Sequence, residues 1–379
     1  MDHELGDDDL RLLLAEVQRF CRKSVQPLVA RPERPLEAAQ LARLTRLATE
    51  FGLLNPSCEA GAGLWEECGG NGWTRFSSAA LRQIAAANAG VAFHFHQLAL
   101  GDYTSRRLGV VGGRRTIVGL QGVYGLARYS LARLLKPKPL TDEDRVLLQD
   151  YFVSWGSAEP KPQLFQAADD WQQLLVPGWD RDQRFGWSLV ARQDAAVVTL
   201  PHSHGLNETQ TWQWRPAESP AQHVAADPTT ALAVYADAFL VNAQALIAIA
   251  CGALQHGLEK AREYAALRRQ GGAPIHQHAA VRQLAARASS VLHTVNLLCD
   301  QCAGLPVARE HLGTVLAVRA VAHDLLCEAA NESLQMLGGA GYTCDAGLEK
   351  IVRDGNHLRL LCGTPSELRM FLSEWENGG

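Results

Sequence analysis

ESLQMLGGAGYT, residues 332–343, is the stretch on which the reading of this chain turns. An apolar helical run stops at a double glycine, Gly338–Gly339, with Gln335 one turn earlier. Glycine past a helix end accepts the left-handed cap conformation, and a glutamine beside it offers both a donor and an acceptor to a ligand. The same construction occurs upstream in RRQGGAPI, residues 268–275, where two arginines run into Gly271 and Gly272 and Pro274 follows. A new helix is expected near Gln277. Guanidinium forks match phosphate oxygens, and glycine lets backbone N–H groups come close to them, so this is a phosphate-binding arrangement. Taken alone, a helix C-cap with basic last-turn residues is the plainer reading.

A third segment, RLLCGTPSELR at 359–369, places Cys362 on a turn between two helices. Thr364 suits the N-cap, Pro365 the first helical position, and Glu367 stands at N3 to close a capping box.

Around these segments helical periodicity dominates. Residues 7–112 read as helices: Leu10, Leu13, Leu14, Val17, Phe20 and Cys21 recur at helical spacing, a second helix covers 36–51, and 74–109 is strongly apolar, with a glycine- and cysteine-rich loop at 56–72 between. From 113 to 228 the chain holds six of its nine tryptophans, at 155, 171, 179, 187, 212 and 214, and short alternating runs such as WSLVARQDAAVVTL and TQTWQWRP that read as strands. Within this part 126–152 reads as helix, which confines the β part to roughly 160–228. From 229 to 379 helices are expected at 229–270, 277–303, 307–336, 346–354 and 365–375, with the broad apolar faces of a four-helix bundle. The expected division is 1–112, 113–228 and 229–379.

Composition excludes several functions. Apolar residues make up 47%, charged residues 20%, and the net charge is −4 with Lys and Arg scattered, so neither nucleic acid nor an anionic membrane is indicated. MDHELGDDDL lacks the basic start and apolar run of a signal peptide, and the longest apolar run, 245–254, is too short to span a bilayer. Nine cysteines without an export signal point to reduced thiols and a cytoplasmic protein, with the Cys299/Cys302 CxxC as packed helical thiols. Three H-x-H pairs, His94/His96, His202/His204 and His276/His278, lack the spacing that would complete a metal site, so no metal is expected.

In order and spacing, RRQGGAPI, LQMLGGAGY, IVRDGNH and CGT resemble the acyl-CoA dehydrogenase family pattern R-x-Q-F-G-x-x-I, L-Q-x-x-G-G-x-G-Y, Y-R-D-x-R and E-G-T. FGLLNP at 51–56 adds to the likeness. The resemblance implies a mainly α fold with a small β domain: an N-terminal helical domain, a middle β-barrel domain and a C-terminal four-helix bundle. It implies FAD, with Arg268, Gln270, Gln335, Gly338, Gly339 and Thr364 as cofactor contacts, the first five reaching the ADP half of a neighbouring subunit's FAD. Gly271 replaces the family aromatic.

The implied reaction is α,β-desaturation of a CoA thioester, in which a carboxylate removes the α-proton. The family's usual base position is occupied here by Cys362, and the alternative position on the preceding helix by Asn242. Neither is a carboxylate. Cys362 is expected to fill space, with a thiolate base as the alternative and Arg359 the only nearby cation in sequence; Asp237 is a poor substitute. The family's segment that holds the flavin ring is not found; FVSWGSAEP at 152–160 is the nearest candidate, and HSHGLNETQTWQW at 202–214 replaces a family strand without its residues. The leading expectation is therefore a non-catalytic subunit of an α2β2-type acyl-CoA dehydrogenase, paired with a homologous catalytic chain that binds most of the acyl-CoA. The alternatives are a self-contained flavoenzyme with another base or oxidase chemistry, and a scaffold that binds no flavin.

Overall fold

The fold is taken from a computed structural model, which describes residues 5–377 apart from 30–35, 55–62, 67–70, 111–113, 124–130, 156–161, 183, 201–202, 217–218, 220 and 225–226. Four helices come first: α1 (Asp7–Phe20), α2 (Ala38–Glu50), α3 (Asn71–Ala87) and α4 (Ala89–Arg107). Five more close the chain: α7 (Pro228–Leu267), α8 (Ala279–Ala303), α9 (Leu312–Gln335), α10 (Leu348–Leu360) and α11 (Pro365–Asn377).

The spine is α7, 40 residues long. Asp227 caps it by accepting the Thr229 and Thr230 N–H groups at 2.9 and 3.1 Å, and Pro228 opens it with its φ already helical. Its middle, 231–254, is almost wholly buried, so α3 and α4 pack on one side of it and α8, α9 and α10 on the others. A Cβ at Gly252 would stand 2.1 Å from the Arg82 carbonyl oxygen, so this glycine is what lets α3 lie against α7. By length and composition α7 could cross a membrane, but 94% of its most apolar window is packed inside the protein.

Between the helical parts lie two sheets. The larger runs β1 (Thr116–Val118), β4 (Gln173–Trp179), β5 (Phe185–Ala191), β8 (Gln222–Val224), with β2 (Val153–Ser154) also on β4. The smaller is an antiparallel set, β3 (Gln163–Ala167), β7 (Gln210–Trp214), β6 (Val197–Thr199). The strand region thus begins at 116, earlier than the sequence suggests. WSLVARQDAAVVTL supplies β5 and β6 with a short 3₁₀ turn between. In the helical reading of 126–152, the described part holds α5 (Ala132–Leu135) and α6 (Asp142–Tyr151); 124–130 lie outside the described residues, as do 156–160 of FVSWGSAEP, His202, and 56–62 and 67–70 of the 56–72 loop. Pro177, in a strand paired on both sides, is tolerated because β1 pairs with 173–175 and β2 with 178–179, leaving the proline in the gap between them.

One buried ion cluster ties all three parts together. Lys350 Nζ on α10 lies 2.7 Å from Asp354 Oδ2 and 3.2 Å from Glu208 Oε2. Glu208 also accepts Asn88 Nδ2–H at 2.8 Å, and Asp354 accepts the Leu206 N–H at 2.7 Å. Burial pulls the Lys350 ammonium down, but the two carboxylates outweigh it and hold it charged.

Candidate functional site

Two concavities contain the residues of interest. The first, about 760 Å3, lies where α7 gives way to α8 and α9 ends. α7 stops at Leu267, and β9 (Arg269–Gln270) folds back on β10 (Ala273–Pro274). Gly271 and Gly272, at φ 60° and 85°, make the two-residue turn, as a tight hairpin with positive φ at both corners requires. The expected helix start near Gln277 is a 3₁₀ turn, with α8 beginning at Ala279. Arg268, Gln270, Gln335, Gly338 and Gly339 all line this cleft, and all five are exposed. Gln335 Nε2 is already engaged, donating to the Tyr342 hydroxyl. Gln270 accepts at its backbone oxygen from His278 Nε2 at 3.0 Å. A Cβ built at Gly338 or Gly339 would meet nothing within 4 Å, so the backbone there is open to a ligand. Two free glycines, an exposed guanidinium and side-chain amides on one wall suit a phosphate-bearing group.

The second concavity, about 530 Å3, opens between the sheets and the C-terminal helices, and both Cys362 and Asn242 line it. Cys362 is half-buried and has φ 55°, a left-handed conformation uncommon for a non-glycine residue. Asn242 is oriented by a chain of buried groups. The Trp65 indole N–H, which can only donate, reaches His96 Nδ1 at 3.0 Å. His96 Nε2 therefore carries the ring proton and donates to Asn242 Oδ1 at 3.0 Å, which leaves the Asn242 amide N–H for the Cys362 sulfur. Burial holds His96 neutral, pushing it down to about 4.

Sequence reasoning looked to Arg359 as the cation beside Cys362. The structure corrects this: Arg359 pairs with Asp324 at 3.1 Å, and the cation at the turn is Arg319 of α9. Arg319 is fully buried and grips the carbonyls on both sides of Cys362, those of Leu361 and of Gly363 at 3.3 Å. Burial holds the Cys362 thiol above the ordinary cysteine range, with Arg319 and the Asn242 N–H opposing that rise without cancelling it.

Thr364 stands apart from the Arg268 group. Its hydroxyl accepts the Glu367 N–H at 3.3 Å and its own N–H goes to Glu367 Oε2 at 2.7 Å, the reciprocal cap of α11. Asp237 is held by Arg107 at 2.8 Å. His94 and His96 point to different partners, His94 lying 2.8 Å from Thr45 Oγ1.

Several residues of the second cavity went unrecognised: Gln121 beyond β1, Gln166 on β3, His357 on α10, and Phe93 and Gln97 on α4. The segment 118–122 lines this cavity through Val118, Leu120, Gln121 and Gly122. Its one signal was the isolated TIV run at 116–118, which pairs in parallel with distant β4.

The sequence profile of the acyl-CoA dehydrogenase C-terminal domain matches residues 232–375. Cyclohex-1-ene-1-carbonyl-CoA dehydrogenase of Syntrophus aciditrophicus is 23% identical over 155 residues, 40% of this chain and 37% of that protein. The matched stretch thus spans little more than a third of that relative's length. In structure, a glutaryl-coenzyme A dehydrogenase in complex with glutaryl-CoA superposes over 100% of this chain and 97% of its own, with a TM-score of 0.73 at 16% identity. A glutaryl-CoA dehydrogenase from Mycobacterium smegmatis, in complex with FADH2, covers 99% of this chain and 96% of its own, with a TM-score of 0.69 at 14% identity. Residues 232–375 thus match the acyl-CoA dehydrogenase C-terminal domain, and the chain shares the fold of these solved dehydrogenases from end to end.

Proposed function

We propose that this chain is a subunit of a flavin-dependent acyl-CoA dehydrogenase that lacks the proton-abstracting carboxylate and completes the FAD site of a homologous catalytic partner, in an α2β2-type assembly. FAD, when bound, accepts the hydride in such a reaction. This chain's contribution is binding: Arg268 meets phosphate charge, Gln270 and Gln335 supply amide hydrogen bonds, and the Gly338–Gly339 backbone allows close approach. An exposed cleft of this kind is half a site. Leu267, next to Arg268, is 82% exposed and Tyr342 63% exposed, as suits a face that another subunit covers.

The observation that carries the reading is the chemistry of the second cavity. Its wall places a thiol and an amide at the two positions where the family keeps its carboxylate, and amide nitrogen does not accept a proton at neutral pH. The cavity is retained as an acyl site without a base, and the thioester that is desaturated sits in the partner. One carboxylate, Glu367, lies on the wall among the described residues, but its Oε2 is committed to the α11 cap. A self-contained enzyme would need Glu367 to leave that cap.

Co-expression with a homologous acyl-CoA dehydrogenase tests the reading. The expected product is a yellow complex containing both chains that desaturates acyl-CoA. A chain that purifies alone with one FAD per protomer and full activity overturns it.

A further inference from the structure

The Cys362 cavity holds groups that binding alone leaves unused. Gln121 is only 8% exposed, lines the cavity, and its side-chain N–H2 has no hydrogen-bond partner. Its backbone is fixed, because the buried Tyr235 hydroxyl donates to the Gln121 carbonyl at 3.0 Å and accepts its N–H at 3.2 Å. A buried donor held rigidly in a cavity without an acceptor is matched to an acceptor on a ligand. Behind Cys362, the fully buried Arg319 has no carboxylate partner among the described residues, and its Nε and Nη1 hydrogens are unpaired. A guanidinium keeps its proton, so the group beside it able to take negative charge is the Cys362 sulfur, which Asn242 also faces with an N–H.

We propose that Cys362 is an acyl acceptor: its sulfur attacks the carbonyl carbon of a thioester in this cavity, the bond from that carbon to the original sulfur breaks, and the acyl group remains on Cys362. The Cys362 proton leaves with the released thiol. One thioester replaces another, so the exchange needs no oxidant or reductant. The Gln121 N–H donates to the carbonyl oxygen as charge develops on it, and Arg319 with the Asn242 N–H offsets part of the cost of forming the buried thiolate. Phe93, Leu120, Phe165 and Leu360 give the acyl group apolar walls. The inference rests on the reading of this cavity as an acyl site.

The test is incubation of the full chain with octanoyl-CoA, with intact-mass and peptide analysis, counting of released CoA thiol, and calorimetry for binding. The expected result is one octanoyl group per chain on Cys362, one thiol released, and removal of the label by neutral hydroxylamine. Cys362→Ala should abolish labelling and Gln121→Leu should slow it about tenfold, as for loss of one hydrogen bond to developing charge, with octanoyl-CoA still bound. Binding without acylation, or equal labelling of Cys362→Ala through other thiols, overturns the inference and leaves the functional reading standing. Wild-type labelling rates in Gln121→Leu remove Gln121 from the step. No binding at all overturns the acyl-site reading, and this inference with it.

Discussion

The cleft at Arg268 and the cavity at Cys362 belong to one chain and are built in opposite ways. The polar groups of the cleft are exposed; it is assembled from α7, α8, the end of α9 and one tight turn, all within the C-terminal helices. The cavity draws on all three parts of the chain, and its polar groups are tied into buried networks: Trp65–His96–Asn242, Tyr235–Gln121, Arg319 on the 361–363 turn. A family site that had simply decayed would collapse or fill with apolar residues, since a buried polar group without function carries a cost. This cavity carries a thiol at Cys362 and an amide at Asn242, and its buried polar groups are held in fixed networks. The contrast separates an exposed polar surface from a set of buried polar groups already held in place.

The buried ion cluster around Lys350 gives the largest expected effect. Lys350→Met leaves Glu208 and Asp354 buried without their cation, at a cost of about 3–5 kcal/mol, read by denaturant unfolding. Hydrogen exchange should rise in 204–208, which the cluster holds through Leu206 and Glu208, before it rises around 264–281; uniform loosening would erase the contrast between the two regions.

Acid probes the cavity's neutral core. His96 is held down to about 4, against about 6.5 in an unfolded chain, so between these values only the unfolded state takes up the proton. Its contribution is complete above pH 6.5 and is lost as pH falls toward 4, about 3 kcal/mol across the window. Thermal unfolding of wild type against His96→Gln should show a shallower acid slope in the variant. Parallel curves would mean that His96 takes up its proton without penalty.

Arg268→Ala addresses the cleft. Loss of one charged hydrogen bond, about 1.5–3 kcal/mol, should weaken FAD retention by the assembled complex roughly 10- to 100-fold and leave the stability of the chain within about 0.5 kcal/mol, because Arg268 is exposed. Unchanged retention would favour the scaffold alternative. Thr364→Ala gives the smallest effect. It should cost about 1 kcal/mol as a lost N-cap and leave FAD content unchanged; a drop in FAD would return Thr364 to the cofactor contacts.

The cleft was legible in the sequence because its parts are local. RRQGGAPI and LQMLGGAGY each fold into their final form within a few residues, and only the meeting of the two needed the fold. Most of the helices were legible for the same reason: Asp227–Pro228 announces α7, and Thr364–Pro365 announces α11. The helix expected at 346–354 runs from Leu348 to Leu360, with Asp354 bonded to the Leu206 N–H and His357 to Gln166. The cavity was far less legible. β1 is three residues long and pairs with a strand more than fifty residues away, so Gln121 carried no local signal. Arg319 sits on a mostly apolar helix face beside the buried His323, and its partners are backbone carbonyls more than forty residues on. Sequence spacing instead pointed to Arg359, which turns to Asp324.

The central claim is that this polypeptide binds but does not abstract a proton from carbon. The most direct measurement is the 450 nm flavin band of the chain purified alone, supplied with FAD and mixed anaerobically with acyl-CoA thioesters. The account predicts a band unchanged over minutes, with desaturation appearing only when the catalytic partner is added. Rapid bleaching by any thioester, with release of the enoyl product and no second polypeptide present, would contradict it.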